Sequence, residues 1–389
     1  MNTHDRNGLP NIFPSIGPAT SLVLFSDFVE PALVTQDDWL NEIGLIVGQG
    51  MAGLARRLVH EYAIQLPRSV IELLQQTTFF DQSLTTRTLK CSGSGLQWLS
   101  EAEIPYVVTK GPGIALMGRS PSDRPFMDID VVVAPARFSD ALRLLRSTGY
   151  SESPLTMQTW DSFNLYCREA VNLRNEDGGS IDLHHRISPW YWSKGITFDL
   201  LQRDAIPVTM YGEHFTAVSP IHNLLITALH IVSDKSRPGQ TVRAWRDLLV
   251  LVEKCPVASV VEAALVTGLI PWLFWILRCL PLDVQPAELL DALAGFDHRI
   301  NGTSRLKMLM PQRIGAQHPI GQVFRIPLPH AVLYVAGMAM PSPTYLRTRY
   351  PDEKRRYSLW LRDSTHSFTK EAIASARPAA HKHLPPTSK

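Results

Sequence analysis

The spacing of apolar residues divides the chain into a helical region, a region of short strands and a second helical region. Between about residues 37 and 102, apolar side chains recur every third or fourth position, which is the period of helices that bury one face. Thr35 or Asp37 suits the N-cap of the first helix, and Pro67 suits the first turn of a later one. Gly93 and Gly95 are unfavourable inside a helix. We predict four helices here, with apolar faces at Trp39 to Val47, Leu54 to Ile64, Val70 to Leu74 and, within residues 84–102, Leu89 to Leu99.

Short apolar runs with alternating positions replace the helical period after about residue 104. They predict strands over residues 106–108, 126–133, 163–167, 170–173 and 180–185, with a helix over residues 136–147. In the last strand Ile181 and Leu183 face one side of the sheet, while Asp182 and His184 face the other. From Ser219 the helical period returns and continues to about residue 293. The pattern therefore predicts an α+β fold in which helical regions flank a small mixed β-sheet.

These changes of pattern also set the expected domain boundaries. Residues 1–103 form an N-terminal arm and helical region, residues 104–216 form the core that contains the sheet, and residues 217–375 form a C-terminal helical domain. Residues 376–389 are rich in proline, histidine and lysine and are expected to be a disordered tail.

Composition and charge exclude several classes of protein. Of 389 residues, 45% are hydrophobic and 19% are charged, which allows a sizeable buried core. The net charge of +2 gives no reason to expect general binding to nucleic acid or to an anionic membrane. Four widely separated cysteines fit neither a disulfide framework nor a zinc site, and residues 1–8 do not resemble a signal peptide. The apolar stretch over residues 260–280 is interrupted by charged residues, glycine and proline, so we expect buried helices, no membrane span and a cytoplasmic protein.

Three acidic residues carry the candidate chemistry. Asp128 and Asp130 are two positions apart in a predicted strand, so their carboxylates project together and repel each other unless a cation lies between them. Asp182 lies on a strand that is expected to neighbour this one, and three carboxylates can hold two Mg²⁺ ions. Two such ions stabilise the attacking and leaving oxygens of a displacement at phosphorus. The Lys110-Gly111 turn would add positive charge and close backbone approach for a triphosphate.

The order of these motifs is similar to that of polymerase-β-type nucleotidyltransferases, which have a glycine-containing turn, Asp-Ile-Asp on a strand and a lone aspartate on a later strand. Within that superfamily the chain resembles a largely uncharacterised bacterial group of nucleotidyltransferases, often found beside peptide natural-product gene clusters. The resemblance covers roughly residues 39–361, and its specific motifs are Lys110-Gly111, Arg124 before Asp128-Ile129-Asp130, and Asp182-Leu183-His184. It implies a nucleotidyltransferase core, an NTP donor, and Mg²⁺ or Mn²⁺ held by Asp128, Asp130 and Asp182.

Other residues of these motifs have two interpretations each. Arg124 either binds phosphate or is a surface residue beside Asp123. His184 either orients Asp182 and contacts substrate, or is a packed strand residue. Many superfamily members have Gly-Gly or Gly-Ser where this chain has Lys110-Gly111, so the contact with the γ-phosphate differs here.

The predicted function is Mg²⁺-dependent transfer of an NMP from an NTP to an acceptor hydroxyl or phosphate, on a small molecule, a peptide, a protein or an RNA end. A metal-dependent glycosyltransferase is an alternative, because its Asp-x-Asp motif also holds a metal and a nucleotide. A non-catalytic nucleotide-binding module, for example of the toxin–antitoxin type, is another. The glycosyltransferase alternative requires neither the Lys110-Gly111 turn nor the lone Asp182.

Overall fold

The N-terminal helical region packs against the rest of the chain through four helices. The computed structural model describes residues 13–28, 34–118, 120–152, 169–187, 195–233, 242–296, 328–351 and 353–363. The predicted strand at residues 163–167 and the predicted tail lie outside these segments. The first four helices are α1 (Pro18–Phe25), α2 (Gln36–Gly48), α3 (Ala52–Glu61) and α4 (Arg68–Glu101).

A sheet and its connecting helices follow. They are β1 (Tyr106–Thr109), α5 (Gly111–Ala115), β2 (Ile129–Val133), α6 (Phe138–Ser147), β3 (Ser151–Glu152), β4 (Ala170–Arg174), β5 (Ser180–His184), α7 (Phe198–Arg203), β6 (Ile206–Met210) and β7 (Glu213–Ala217).

The C-terminal region is helical, as its period predicts. Its elements are α8 (Pro220–Ser233), α9 (Val242–Lys254), α10 (Val257–Thr267), α11 (Ile270–Cys279), α12 (Ala287–Ala294), α13 (Leu328–Ala339), α14 (Pro343–Arg349) and α15 (356–363). In the described segments, none of the helices is both long enough and apolar enough to cross a membrane.

Helix α2 begins at a capping box. The Thr35 hydroxyl accepts a hydrogen bond from the Asp38 backbone N–H at 3.2 Å, and the Asp38 carboxylate accepts one from the Thr35 backbone N–H at 2.9 Å. Two N–H groups at the helix start are thereby satisfied. Of the two predicted caps, Thr35 is the one that the structure uses.

The two helices predicted after Pro67 are one helix, α4, of 34 residues. The prediction was wrong here because the helix continues through residues 75–83, between the two predicted helices. Gly93 and Gly95 lie inside the second predicted helix, where they serve close packing. A Cβ at Gly95 would lie 2.7 Å from Ile181 Cδ1, and a Cβ at Gly93 would lie 2.4 Å from Glu213 Oε2. The glycines therefore let α4 approach strands β5 and β7. Helix α3 is also shorter than predicted and ends at Glu61.

The seven strands form one mixed sheet in the order β3-β4-β5-β2-β1-β7-β6. Strands β2 and β5 are parallel neighbours, as are β1 and β7, and the other pairs are antiparallel. The predicted α+β class, a mixed sheet between helical regions, is confirmed. Strand β2 begins at Ile129, three residues later than predicted.

Alternate strand residues face two separate parts of the core. Val108 and Leu183 pack on one face of the sheet in a cluster that includes residues of α4 and α6. Val107 and Val132 pack on the other face, in a cluster with residues of α1–α4 and α8–α12. Because side chains alternate along a strand, Asp130 shares the face of Val132. Asp130 therefore projects from the face of the sheet that both helical regions cover.

Candidate functional site

Asp130 and Asp182 lie side by side because strands β2 and β5 pair in parallel. The register places Asp130 opposite Asp182 and Val132 opposite His184. His184 Nε2 lies 3.1 Å from Asp130 Oδ1 and 3.2 Å from Asp182 Oδ2. The histidine ring therefore bridges the two carboxylates.

The contacts of His184 define its protonation. Its Nδ1 lies 3.2 Å from the carbonyl oxygen of Arg186, so this nitrogen must donate a proton. Its Nε2 faces two carboxylate oxygens, which only accept, so it also requires a proton. Burial lowers the pKa of His184, but the charge of Asp182 and the hydrogen bonds to Asp130 and Asp182 raise it to about 10. In the metal-free protein His184 is therefore an imidazolium at neutral pH.

This pKa predicts a pH dependence of stability for the metal-free protein. The folded-state pKa of about 10 is above the ordinary value of 6.5, so the stabilising contribution of His184 is fully present below pH 6.5. It is lost as the pH rises towards 10. Denaturant unfolding in EDTA should show the free energy of unfolding falling by a few kcal/mol over this range.

A His184→Gln variant should show a much flatter profile between pH 6.5 and 10. The matched control is His214→Gln, since His214 is an exposed histidine of β7. A wild-type profile no steeper than that of His184→Gln would contradict the ion bridge.

One carboxylate oxygen beside His184 has no partner among the residues that the structure describes. Asp182 Oδ1 is buried, and no hydrogen-bond donor reaches it in the described part of the chain. One ligand atom from each of Asp130, Asp182 and His184 lies within 4.8 Å of the other two. An unpartnered buried oxygen among carboxylates fits a divalent cation, because such a cation prefers oxygen ligands and would satisfy that oxygen.

Asp128 lies directly before β2 and keeps solvent access. Its pKa is raised, first because protein atoms displace part of the water around its carboxylate, and then because of the negative charges of Asp130 and Asp182. In the described segments no cation lies within 4 Å of it. Asp128 is thus the acid of the three whose charge is least compensated in this structure.

Lys110 neutralises Asp130. Its Nζ lies 3.0 Å from Asp130 Oδ1. Burial raises the pKa of Asp130, but Lys110 and His184 together hold it well below its usual range. Lys110 precedes α5 in an unusual conformation, with φ 52° and ψ −115°. A Cβ at Gly111 would lie 3.3 Å from the Phe126 side chain, so glycine allows the turn to approach this segment.

Asn223 of α8 holds the Lys110 turn in place. Its Oδ1 accepts hydrogen bonds from Thr109 Oγ1 and from the Lys110 backbone N–H, both at 2.9 Å. Its Nδ2 donates to the Val218 carbonyl oxygen at 3.0 Å. Since Asn223 is buried, these three groups depend on it. The strained backbone of Lys110 is therefore fixed by a residue more than a hundred positions away.

We expect Asn223→Ala to lower the free energy of unfolding by about 2–3 kcal/mol, because buried donors and an acceptor would lose their partner. Asn41→Ala, at an exposed position of α2, is the matched control and should change it by less than about 0.5 kcal/mol. Urea unfolding measures both. Equal stabilities of the two variants would show that Asn223 does not anchor the turn.

Arg124 forms a buried ion pair with Asp247 of α9. Its Nε lies 3.1 Å from both carboxylate oxygens, and its Nη2 lies 2.8 Å from Oδ2. The two side chains are 14% and 7% exposed. Burial lowers the pKa of Arg124, but Asp247 and then Asp130 and Asp128 raise it above its ordinary value. Arg124 is thus not a simple surface residue, and it ties the segment before Asp128 to the C-terminal region.

A cavity of about 410 Å³ adjoins these residues. It is bounded by the α2–α3 turn, α4, the Lys110 turn, the 124–127 segment, α8 and α9. Its charged lining residues are Asp81, Lys110, Arg124, Arg243 and Asp247. The structure therefore brings Lys110 and Arg124 to one cavity, while Asp130, Asp182 and His184 meet beside the Lys110 side chain.

Sequence reasoning missed the roles of Asn223, Arg243 and Asp81, and it missed the pairing of Arg124 with Asp247. One local signal was present: Arg243 and Asp247 are four residues apart on an amphipathic helix, so they share a face. Nothing in the local sequence indicates that this face meets Arg124.

Of three comparisons with known proteins, the one with family models supports the nucleotidyltransferase interpretation. A crystal structure of an antigenic nucleotidyltransferase-like protein from Paracoccidioides brasiliensis is 17% identical over 44% of this chain and 77% of that chain, with a TM-score of 0.27, too low to establish a shared fold. No curated protein gives a significant match. The family model described as uncharacterised nucleotidyltransferase matches residues 35–291, more than half of the chain. The chain therefore belongs to this family of uncharacterised nucleotidyltransferases.

Proposed function

We propose that this protein transfers a nucleoside monophosphate from an NTP to an acceptor hydroxyl or phosphate and releases pyrophosphate. The observation that carries the proposal is the pairing of Asp130 with Asp182 across β2 and β5, with Asp182 Oδ1 left without a partner among the described residues. The family membership supplies the class of reaction. The acceptor is a small molecule, a peptide, a protein or an RNA end.

Asp128, Asp130 and Asp182 are the residues proposed to hold Mg²⁺ or Mn²⁺, with His184 beside them. Bound divalent cations would lower the pKa of the acceptor hydroxyl and neutralise charge on the leaving pyrophosphate. His184 contacts both Asp130 and Asp182, so it orients these carboxylates. Its imidazole nitrogen is also close enough to Asp130 and Asp182 to act as a further ligand once it is deprotonated.

The remaining residues would serve the donor. In the reaction the acceptor oxygen bonds to the α-phosphorus as the bond from that phosphorus to pyrophosphate breaks, and an acceptor hydroxyl gives its proton to solvent water. Lys110 and the Gly111 backbone are proposed to contact the triphosphate, and Arg124 is proposed to add positive charge beside it. Lys110 would then exchange part of its contact with Asp130 for a phosphate oxygen.

The acceptor is proposed to approach from the C-terminal helical region, residues 217–375, since α8 and α9 line the cavity beside the acids.

The other regions keep their proposed limits: an arm and helical region over 1–103, the catalytic core over 104–216 and a tail over 376–389. The cytoplasm remains the proposed location, on the pattern of scattered cysteines. We propose neither a membrane nor general nucleic acid as a partner, because the net charge is only +2.

The test is incubation of the full chain with each α-labelled NTP, Mg²⁺ or Mn²⁺ and a cell extract. Transfer of label to a product supports the proposal when an Asp182→Asn variant shows none. Hydrolysis alone would contradict it. Activity with nucleotide sugars alone would favour a glycosyltransferase, and binding without turnover would favour a nucleotide-binding module.

A further inference from the structure

Arg243 is a partly buried cation that faces the cavity and forms no ion pair with the residues that the structure describes. Its Nη1 donates to the Pro125 carbonyl oxygen at 3.1 Å. Across the described segments no carboxylate oxygen lies within 4 Å of its guanidinium, and Asp81, which lines the same cavity, acts on it only from farther away. A guanidinium carries five N–H donors, so most of those of Arg243 have no acceptor among the described residues. Burying such a group is unfavourable unless an anion accompanies it.

A second guanidinium lies next to it. Arg243 is one turn before Asp247 on α9, and Asp247 binds Arg124, so the two arginines are neighbours on one wall. Arg124 uses Nε and Nη2 for Asp247, and its Nη1 has no hydrogen-bond partner among the described residues. Burial and then the charge of Arg124 lower the pKa of Arg243. Both arginines thus present unused donors at the cavity, and their mutual repulsion would be relieved by an anion.

The position of this wall suggests which anion fits. The segment that carries Arg124 and Pro125 leads within three residues to Asp128. Lys110, which binds Asp130, lines the same cavity. A ligand whose phosphates lie along this wall would therefore extend from the two arginines towards the cluster formed by Asp128, Asp130 and Asp182. A volume of about 410 Å³ is within the range of pockets for small molecules.

We propose that Arg243, together with the Nη1 group of Arg124, binds a phosphate chain in this cavity. The identity of the ligand rests on the proposed function: the chain is the triphosphate of the donor NTP or a phosphate group of the acceptor. In both cases Arg243 donates two N–H groups to phosphate oxygens. Arg243 is then a binding residue supplied by the C-terminal region.

The experiment is calorimetric titration of the full chain with inorganic tripolyphosphate in EDTA. Arg243→Gln should weaken binding at least about tenfold, since a charge-assisted hydrogen-bonded contact is lost. Arg243→Met keeps the apolar part of the side chain and should weaken tripolyphosphate binding to the same extent. Agreement between the two variants excludes a folding defect that is specific to one of them. Thermal unfolding of each variant verifies that it is folded.

The matched control is Arg143→Gln, which removes the same charge from an exposed position of α6. It should bind tripolyphosphate as the wild type does. The proposal is wrong if the wild type does not bind tripolyphosphate, or if a folded Arg243 variant binds it with unchanged affinity.

A second titration distinguishes the two sources of phosphate. If NTP and tripolyphosphate compete, the wall binds the donor triphosphate. If NTP binds with unchanged affinity to protein saturated with tripolyphosphate, the wall serves the acceptor. Neither titration requires turnover, so loss of tripolyphosphate binding in Arg243→Gln supports this site even if labelled NTP is never transferred. Conversely, active transfer with unchanged binding in Arg243→Gln overturns this site and leaves the proposed function intact.

Discussion

Replacing Asp128 with asparagine is expected to reduce nucleotidyl transfer by about 10²–10³-fold or more while the protein stays folded. The change removes a proposed metal ligand but no ion pair within the described segments. It also removes a negative charge that Asp130 and Asp182 repel. In EDTA the thermal stability of Asp128→Asn should therefore equal or exceed that of the wild type. Labelled-NTP transfer and thermal unfolding measure the two effects.

Asp130→Asn is the informative comparison, because it should be equally inactive but less stable. Asp130 binds Lys110 and His184, and both cations would lose a partner within the protein. The opposite stability changes separate loss of a ligand from general damage to the fold. Full activity of Asp128→Asn would show that Asp128 is not part of the site.

Breaking the Arg124–Asp247 pair is expected to have the largest effect on stability. Asp247→Asn would remove the one carboxylate that Arg124 contacts in the described segments and leave its guanidinium buried, and this should lower the free energy of unfolding by about 3–5 kcal/mol. The segment that precedes Asp128 would lose one of its attachments to α9, so the catalytic rate should fall as well. Denaturant unfolding and the transfer assay measure these changes.

The matched control breaks an exposed pair of the same type. Arg68 and Glu72 are 91% and 49% exposed, and Glu72→Gln should change the free energy of unfolding by less than about 0.5 kcal/mol. A double-mutant cycle with Arg124→Gln isolates the interaction itself. A stability of Asp247→Asn equal to that of Glu72→Gln would show that the buried pair does not anchor the segment.

Local patterns in the sequence were sufficient where the structure depends on period and capping. Alternation along residues 180–184 placed Asp182 and His184 on one face, away from Ile181 and Leu183, as found. The capping box at Thr35 and the start of α8 at Pro220 follow equally local rules. The same rules failed at residues 75–83, where they predicted a break and α4 continues. At Gly93 and Gly95 the predicted helix is present, and close packing of α4 on the sheet explains why glycine stands there.

The Lys110 turn followed by Asp128-Ile129-Asp130 indicated a site of carboxylates and phosphate from sequence alone. Only the tertiary structure decided that Lys110 and His184 neutralise Asp130, that Asn223 fixes the Lys110 turn, and that Arg124 is held by Asp247. Arg124 and Asp247 are 123 positions apart. A local pattern specifies which side chains are buried and which face they share, because backbone geometry repeats every 2 or 3.6 residues. It does not specify which distant element meets that face, because this depends on how all the elements pack together.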